Sequence, residues 1–440
     1  MSDATSMAED FASGRNDPVQ VLEQALMHAN MAPSVFISVS AERARREAQA
    51  SAARWRAGQP LSVFDGVPLA WKDLFDVAGS VTTAGAAYRR NAPAAALDAP
   101  CVGLLCRAGM VSVGKTNLSE LAYSGLGLNP HFGTPHNPSS SDQARIPGGS
   151  SSGSAVAVAA GIVPIAMGTD TAGSIRIPAA LNGLVGYRSS SRRYSRDGVF
   201  PLSRTLDSLG PLTRSVRDAL AIDDLLHGRR QTHSARSLKG LRLVLAQQDA
   251  EPAVRNNLLH AVQRLKAAGA LIEERECQAF QATLQLIRDH GWLGSFEAFA
   301  LHEALLDSPD AAHLDPRVRR RLEAARGLPA SQLLHLTEAR RRLQQQLADD
   351  LDGALLITPT VAHVAPPLAP LEADDDLFIQ TNLATLRLTM PGSFLDMPGV
   401  TLPSGRDALG LPTGLLLSAP TGEDARLLRA ALSVESVLTI

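Results

Sequence analysis

Two segments rich in glycine and serine, separated by short runs of small and apolar residues, constrain the fold of this chain more than any other feature. The first covers residues 129–153, and the second is Gly168-Thr-Asp-Thr-Ala-Gly-Ser174. Between them, residues 154–160 predict a helix and residues 163–167 a strand. Ordering glycine-rich backbone costs conformational entropy, so such segments are either flexible or functional. The helix and strand return the chain, which predicts that hydroxyl groups of the two segments meet.

The rest of the chain alternates between helical and extended patterns. Helices are predicted over residues 18–29, 40–57, 99–108, 215–227, 253–268 and 422–438, and strands over residues 67–72, 110–113, 241–246, 355–359, 400–403 and 411–417. Residues 281–350 are mainly helical, and we expect them to cover a substrate site. The alternation of strands and helices predicts the α/β class.

Charge and composition exclude several classes of function. The chain has 42 Lys and Arg against 44 Asp and Glu, so it lacks the basic excess of a dedicated nucleic-acid binder. Its three cysteines form no CxxC pair, and no metal-ligand spacing occurs. The polar N-terminus lacks a signal core, and the longest apolar stretch, residues 154–168, is broken by Gly161 and Pro164. We expect a soluble, cytoplasmic protein with no metal or cofactor, no membrane and no direct nucleic-acid partner.

One motif matches a phosphate-binding loop in its letters alone. Gly109-Met-Val-Ser-Val-Gly-Lys-Thr116 fits GxxxxGK[ST]. A true loop of this kind follows a strand and precedes a helix. Here a predicted helix precedes Gly109, and the four inner residues favour a strand. We therefore interpret Gly109 as a helix stop and Lys115 as an ordinary lysine.

A second motif, Gly149-Ser-Ser-Ser-Gly153, fits the GxSxG elbow of α/β-hydrolases with Ser151 at its centre. That elbow requires a strand directly before the serine, and residues 142–148 are not strand-like. His363 is the one downstream histidine in a loop that suits a catalytic role. This arrangement is the weaker alternative, but the residues alone leave it open.

A third arrangement combines both serine-rich segments with a lysine. Lys72 ends the apolar run Val67-Pro-Leu-Ala-Trp-Lys72, which predicts a buried strand. Burial lowers the pKa of a lysine, so its amine can be neutral and act as a base. A neutral Lys72 that relays a proton through one serine to another would activate a nucleophile without histidine. Ser150 and Ser174 are the two serines that the returning path brings together.

Four runs of sequence resemble the motifs of the amidase signature family. They are Phe64-Asp-Gly-Val-Pro-Leu-Ala-Trp-Lys-Asp73, Gly114-Lys-Thr-Asn117, Pro147-Gly-Gly-Ser-Ser-Ser-Gly-Ser154 and Gly168-Thr-Asp-Thr-Ala-Gly-Ser-Ile-Arg-Ile-Pro178. The resemblance is dense over residues 60–220. It continues more weakly at Thr358-Pro-Thr360 and Gly410-Leu-Pro-Thr-Gly-Leu415. The runs are long and occur in order, which makes the match specific.

The resemblance implies a fold and a set of catalytic roles. The fold would be a single domain over residues 1–440, with a central mixed β-sheet flanked by helices on both faces. Ser174 stands where the family has its nucleophile, Ser150 where it has a serine after a cis peptide bond, and Lys72 where it has its base. Backbone N–H groups of four residues would stabilise the oxyanion: Thr171, Ala172, Gly173 and Ser174.

The sequence departs from the family pattern in three places, none of which removes a catalytic group. Residue 172 is alanine where glycine is usual, and alanine resists a positive φ, which leaves the shape of the oxyanion hole open. Trp71 stands where a smaller aliphatic residue is common. Tyr187-Arg-Ser189 replaces a more usual aromatic-Lys-Pro run.

Five further residues are candidates for supporting the site or binding substrate: Ser151, Asp170, Arg176, Asn117 and Tyr123. Asp170 either orients the oxyanion turn or simply caps it. Arg176 either binds a substrate carboxylate or, as we favour, forms a buried structural ion pair. Asn117 and Tyr123 either line the acyl pocket, or Asn117 caps a helix over residues 118–123.

The predicted function is hydrolysis of a linear carboxamide to a carboxylate and ammonia or an amine, through an acyl-enzyme on Ser174. Two alternatives stay open. One is the glutaminase component of a tRNA-dependent amidotransferase, which works together with partner subunits. The other is a catalytically silent interaction protein on the same fold. The expected partner is a small-molecule amide, and a homodimer is a further open alternative.

Overall fold

The computed structural model describes residues 2–229, 231 and 233–438. Within these ranges eleven strands form one sheet, accompanied by sixteen α-helices and three 3₁₀ turns. The strands are β1 (Phe36–Val39), β2 (Pro68–Lys72), β3 (Val111–Thr116), β4 (Ile165–Asp170), β5 (Val185–Arg188), β6 (Ser208–Thr213), β7 (Arg242–Leu245), β8 (Leu271–Glu274), β9 (Leu355–Pro359), β10 (Gly399–Arg406) and β11 (Pro412–Ser418).

The α-helices are α1 (Ala4–Ala12), α2 (Pro18–Met31), α3 (Ala41–Arg56), α4 (Pro100–Arg107), α5 (Ser152–Ala159), α6 (Arg176–Asn182), α7 (Val216–Leu226), α8 (Pro252–Ala267), α9 (Gln278–His290), α10 (Leu293–Leu306), α11 (Pro316–Glu323), α12 (Ala330–Leu351), α13 (Leu368–Ala373), α14 (Asp375–Leu386), α15 (Met390–Phe394) and α16 (Asp424–Leu438). The 3₁₀ turns cover Ala87–Arg89, Glu120–Ala122 and Pro309–His313. None of the helices in the described ranges has both the length and the apolar character that crossing a membrane requires.

The sheet is mixed, with the strand order β1-β3-β2-β4-β6-β5-β10-β11-β9-β7-β8. Strand β2 runs parallel to β3 and β4, and β7 runs parallel to β8 and β9. The remaining pairings are antiparallel. Because β2 and β4 are parallel neighbours, their carboxyl ends lie at the same edge of the sheet. Ligands of open α/β sheets bind outside such carboxyl ends.

Side chains alternate between the two faces of the sheet, as strand geometry requires. Leu69 and Trp71 of β2 pack into an apolar cluster with α1, α4, α7, α8 and α16. Ala70, between them, packs into a second cluster with α2, α3, α5 and α6. Helices therefore cover both faces, which confirms the predicted α/β class and the central mixed sheet.

Each helix and strand of the predicted alternation is present, with its ends shifted by a few residues. Local signals explain the agreement. Asp17 accepts a hydrogen bond from the Val19 N–H and Pro18 opens α2, a favoured helix start. Gly109, at φ +91°, follows α4 and stops it. Residues 281–350 are mainly helical, as predicted, and contain most of α9 through α12.

The sequence pattern does not reveal β5 and β6, although they lie in the middle of the sheet. Strand β6 contains glycine and proline, which are unfavourable in a central strand. The structure gives the reason for the glycine. A Cβ at Gly210 would overlap the Tyr187 carbonyl oxygen, so close approach of the two strands excludes a side chain there. Packing of the sheet overrides local propensity at this point.

The phosphate-loop motif is a strand, as expected, but Lys115 is not an ordinary surface lysine. It lies on β3, fully buried, with its amine 2.7 Å from an Asp73 carboxylate oxygen that is also fully buried. Lys115 Nζ also donates to Thr82 Oγ1 at 3.2 Å. A lysine engaged in a buried ion pair is not free to bind phosphate. The residues that match the phosphate-loop pattern are therefore part of the buried sheet.

Breaking this buried pair is expected to destabilise the protein strongly. Lys115→Met leaves the Asp73 carboxyl without its cation, and we expect the free energy of unfolding to fall by about 3–5 kcal/mol, measured by urea denaturation. The matched control is Arg242→Met, which removes the exposed pair with Asp352 and should cost less than about 1 kcal/mol. Equal losses in the two variants would contradict this account.

Candidate active site

The site begins with Lys72, the last residue of a strand whose five residues are all buried. Lys72 is fully buried, and its amine donates to Ser150 Oγ at 2.7 Å and to Thr169 Oγ1 at 2.8 Å. Thr169 lies near the carboxyl end of the neighbouring strand β4. The amine thus contacts two hydroxyl groups. The second of them belongs to Thr169, a residue that the sequence motifs did not indicate, and not to Ser174.

Burial is the main cause of the unusual acidity of Lys72. It lowers the pKa of the amine to about 7 from an ordinary value of 10.5. The carboxylates of Asp170 and Asp207 act in the opposite direction, through charge. Neither forms an ion pair with Lys72 in the described structure. The amine is therefore about half neutral at pH 7 and mostly neutral at higher pH, and the neutral form is the state that a base requires.

Ser150 is fully buried and follows a cis peptide bond at Gly149–Ser150, the geometry that the family resemblance implies. The adjoining backbone is closely packed. A Cβ on Gly149 would lie 2.6 Å from the Gly127 backbone nitrogen, so glycine is required at 149. The Ser119 N–H donates to the Ser150 carbonyl at 3.1 Å. These contacts fix the Ser150 hydroxyl against the Lys72 amine.

Ser174 lies in the turn between β4 and α6 and lines a cavity. A backbone hydrogen bond from the Ser151 N–H to the Ser174 carbonyl, 3.2 Å long, joins the two serine-rich segments. The predicted meeting of these segments is therefore present at the level of the backbone. Within the described residues, no hydrogen bond links the Ser174 and Ser150 hydroxyl groups.

The turn that holds Ser174 is restrained from two sides. Thr171 Oγ1 donates to the Asp207 carboxylate at 2.5 Å, and Thr389 Oγ1 donates to the Ala172 carbonyl at 2.5 Å. Gly173 has φ +139°, a conformation that L side chains rarely adopt. Ala172 has no positive φ, so alanine fits there without strain. The described structure gives the N–H groups of residues 172–174 no hydrogen-bond partner, which leaves them free for a developing oxyanion.

Asp170 and Arg176 form a buried ion pair beneath the turn. Arg176 contacts the carboxylate through Nε at 3.0 Å and Nη2 at 2.9 Å, and the Ile175 N–H donates to it at 3.1 Å. Burial alone would raise the pKa of Asp170, but the charges of Arg176 and Arg188 and the hydrogen bonds from Arg176 and the Ile175 N–H together outweigh it and lower the pKa to about 2. Arg176 Nη2 also donates to Ser393 at 2.7 Å. This geometry matches the favoured structural pair for Arg176.

Asn117 and Tyr123 have different environments. Asn117 is fully buried, and its side chain donates to the Ser34 and Gly133 carbonyls, each at 2.8 Å. It braces loops and does not line the cavity. The helix proposed over residues 118–123 is reduced to a 3₁₀ turn over Glu120–Ala122. Tyr123 does line the cavity, and its hydroxyl donates to Ser295 at 3.3 Å.

The elbow arrangement with Ser151 as nucleophile is not formed. Ser151 Oγ donates to the Thr169 carbonyl at 3.3 Å. The ring nitrogens of His363 lie 2.8 Å from the Val364 carbonyl and from Thr385 Oγ1, so this histidine is engaged elsewhere.

Burial raises the pKa of Cys106 to about 11, which keeps its thiol protonated. Of the described residues, no group of three or more His, Cys, Asp or Glu is arranged to bind a metal.

The cavity beside Ser174 has a volume of about 870 Å³. Part of its wall comes from the predominantly helical residues 281–350, through Gln281, Leu284, Ile287, Arg288, Trp292, Ser295 and Arg321. Residues near the start of α15 and the end of α14, among them Met390 and Leu386, line it too. The size suits a small organic molecule.

Known proteins are similar to this chain in sequence and in architecture. The Amidase family model matches residues 20–428. A 2-amino-5-chloromuconic acid deaminase from Comamonas testosteroni is 34% identical over 425 residues, which cover 93% of this chain and 90% of the relative. A glutamyl-tRNA(Gln) amidotransferase subunit from Salinispora arenicola is 33% identical over 452 residues, with 92% and 90% covered. A crystal structure of an amidase, 32% identical, superposes with a TM-score of 0.88 over the full length of both chains.

The geometry of the turn predicts different tolerance at two adjacent positions. A Cβ at Gly173 would overlap the Thr389 hydroxyl. Alanine would also have to adopt the φ of +139° that Gly173 has, a conformation that L side chains avoid. We expect Gly173→Ala to lower the free energy of unfolding by at least about 2 kcal/mol, measured by urea denaturation. Ala172→Gly is the matched control and should change it by less than about 1 kcal/mol. A larger loss at 172 than at 173 would contradict this backbone conformation of the turn.

Proposed function

The chain belongs to the amidase signature family, and we propose that it hydrolyses the C–N bond of a linear carboxamide to a carboxylate and ammonia or an amine. The observation that carries the proposal is the 2.7 Å contact between the buried Lys72 amine and the Ser150 hydroxyl, in a segment whose backbone is hydrogen-bonded to Ser174. The reacting groups belong to the protein itself. No step of the proposed reaction requires a metal or an organic cofactor.

The first half of the reaction forms an acyl-enzyme. The neutral Lys72 amine accepts the Ser150 hydroxyl proton while the Ser150 oxygen accepts the proton of Ser174. Ser174 Oγ attacks the amide carbon and forms a tetrahedral intermediate. Lys72 then returns its proton through Ser150 to the amide nitrogen, the C–N bond breaks, and ammonia or an amine leaves.

The second half releases the acid. A water molecule gives a proton to the same relay and attacks the ester carbon, and the bond to Ser174 Oγ breaks as Ser174 regains its proton. In both halves the carbonyl oxygen becomes negatively charged. The N–H groups of residues 172–174, which have no hydrogen-bond partner in the described structure, would stabilise it, and each such donor is typically worth about 3 kcal/mol.

Neighbouring groups hold these reacting groups in position. Thr169 contacts the Lys72 amine at 2.8 Å and restricts its position. Ser151 ties the two serine segments through its backbone, and the Asp170–Arg176 pair supports the end of the turn. We propose that residues 281–350 cover the substrate, since they form part of the wall of the cavity that Ser174 lines. These features support a single catalytic unit over residues 1–440.

A second candidate function is the glutaminase component of a tRNA-dependent amidotransferase. It is favoured by the amidotransferase relative from Salinispora arenicola, which is 33% identical over 92% of this chain. Such a component works with partner proteins, whereas the amidase that we propose works alone on a small-molecule amide. Ammonia release from simple amides by the purified chain distinguishes the two.

Replacement of the proposed nucleophile is expected to abolish hydrolysis. Ser174→Ala should reduce ammonia release by at least about 1,000-fold, because no acyl-enzyme can form. A serine-directed fluorophosphonate should label Ser174 of the unaltered protein, detected by peptide mass. Ser195→Ala, at an exposed serine outside the site, is the control and should keep full activity. Near-normal turnover by the Ser174 variant would exclude this mechanism.

The lowered pKa of Lys72 predicts the pH dependence of the reaction. Below pH 7 the amine carries a proton and cannot accept one from Ser150. We therefore expect kcat/KM for ammonia release to rise tenfold per pH unit at acidic pH and to level off above about pH 7. Circular dichroism over the same range separates this effect from unfolding. A rate that is constant between pH 5.5 and 8 would contradict the role of Lys72.

A further inference from the structure

Arg321, on α11, lines the same cavity as Ser174 and has no acidic partner. No ion pair to Arg321 occurs among residues 2–229, 231 and 233–438. Its Nη1 donates to the Tyr123 carbonyl, and its guanidinium lies over the Tyr123 ring, 4.3 Å from the centroid. Burial lowers the pKa of Arg321, which means that the charge is partly removed from water. A desolvated cation without a carboxylate is costly unless a ligand supplies the anion.

Two of the other three arginines of this helix form ion pairs, and the third, Arg319, is exposed to solvent. Arg317 contacts the Asp315 carboxylate at 2.7 Å, and Arg320 contacts Asp376 at 3.3 Å. Arg321 differs from both because its side chain lies at the cavity. Arg321 therefore lacks an acidic partner at a position that a substrate in the cavity would reach.

Two hydroxyl groups line the same cavity as the guanidinium. The Tyr123 ring lies beneath it, and the Tyr123 hydroxyl is 3.3 Å from Ser295 Oγ, which also lines the cavity. A planar guanidinium with neighbouring hydroxyl donors matches the two oxygens of a carboxylate. The cavity walls around this polar group are otherwise largely apolar, with Leu202, Ile287 and Trp292 among them.

Most of the charged residues that line the cavity are positive, as Arg321 is. Arg288 and Arg387 also line it, against the single acidic residue Asp249. Arg387 is tied to the Asp249 backbone carbonyl, not to its carboxylate. Three arginines and one carboxylate give the described cavity lining a net positive charge, which favours the entry of an anion.

We propose that Arg321 binds a carboxylate of the substrate, so that the amides hydrolysed at Ser174 carry a free carboxylate at a distance from the scissile bond. This inference rests on the proposed amidase function and names its substrate class. The role of carboxylate anchor, considered for Arg176 from the sequence, thereby belongs to Arg321. Arg176 is occupied by Asp170.

The test compares amides that differ only in charge. Ammonia release is measured with the monoamides malonamate, succinamate, glutaramate and adipamate, and with the corresponding neutral diamides. We expect kcat/KM for the best monoamide to exceed that of its diamide at least tenfold. A ratio below three, or hydrolysis of none of the monoamides by protein whose Ser174 is labelled by a fluorophosphonate, overturns the inference. Absence of both labelling and hydrolysis would overturn the proposed function instead, and the inference with it.

Variants assign the preference to Arg321. In Arg321→Gln the monoamide-to-diamide ratio should fall at least tenfold, mainly through KM, and Arg321→Lys should restore part of it. Arg320→Gln removes a positive charge one residue away, at an exposed position outside the cavity, and should leave the ratio unchanged. An unchanged ratio in Arg321→Gln, or an equal fall in Arg320→Gln, overturns the assignment. If Arg321→Gln does not fold, Arg321→Lys and the ratio of the unaltered protein decide the question.

Discussion

The candidate site depends on keeping a lysine amine in the dry interior of the sheet. Strand β2 carries Lys72 to the edge where its parallel neighbour β4 ends, so that the amine meets the Thr169 hydroxyl from the side and Ser150 from the loop before α5. In water the amine would be protonated near pH 7, and it is burial that brings its pKa into the useful range. The register of β2 against β4 therefore determines both where the Lys72 amine lies and whether it can act as a base.

Local sequence predicted the groups whose neighbours are close in the chain. The apolar run before Lys72 revealed a buried strand with a lysine at its end, and the small residues around Ser150 and Ser174 revealed two special turns. Thr169 also lies in a recognised motif, but its role depends on the pairing of β2 with β4, which no local pattern contains. The same holds for Lys115, whose burial follows only from its position on an interior strand.

Other parts could not be predicted because they depend on distant segments. Asp207, Thr389 and Ser393 restrain the site from positions far along the chain, and each is an ordinary polar residue in its local sequence. Strands β5 and β6 are short and contain residues that disfavour strands, so only the packing of the sheet defines them. The question about Ala172 was resolved in the same way, since the positive φ occurs at Gly173.

The contacts that hold the turn 171–174 have a consequence for how the protein matures. All three groups proposed to react lie in the first half of the sequence, yet Thr389 fastens the turn at Ala172, and Ser393 contacts the arginine beneath it. During synthesis the ribosome releases the nucleophile, its relay and its base well before the segment that secures them. A nascent chain would thus contain all three reactive side chains before the contacts of Thr389 and Ser393 can form. It would become able to catalyse the reaction only after the last part of the polypeptide has been synthesised.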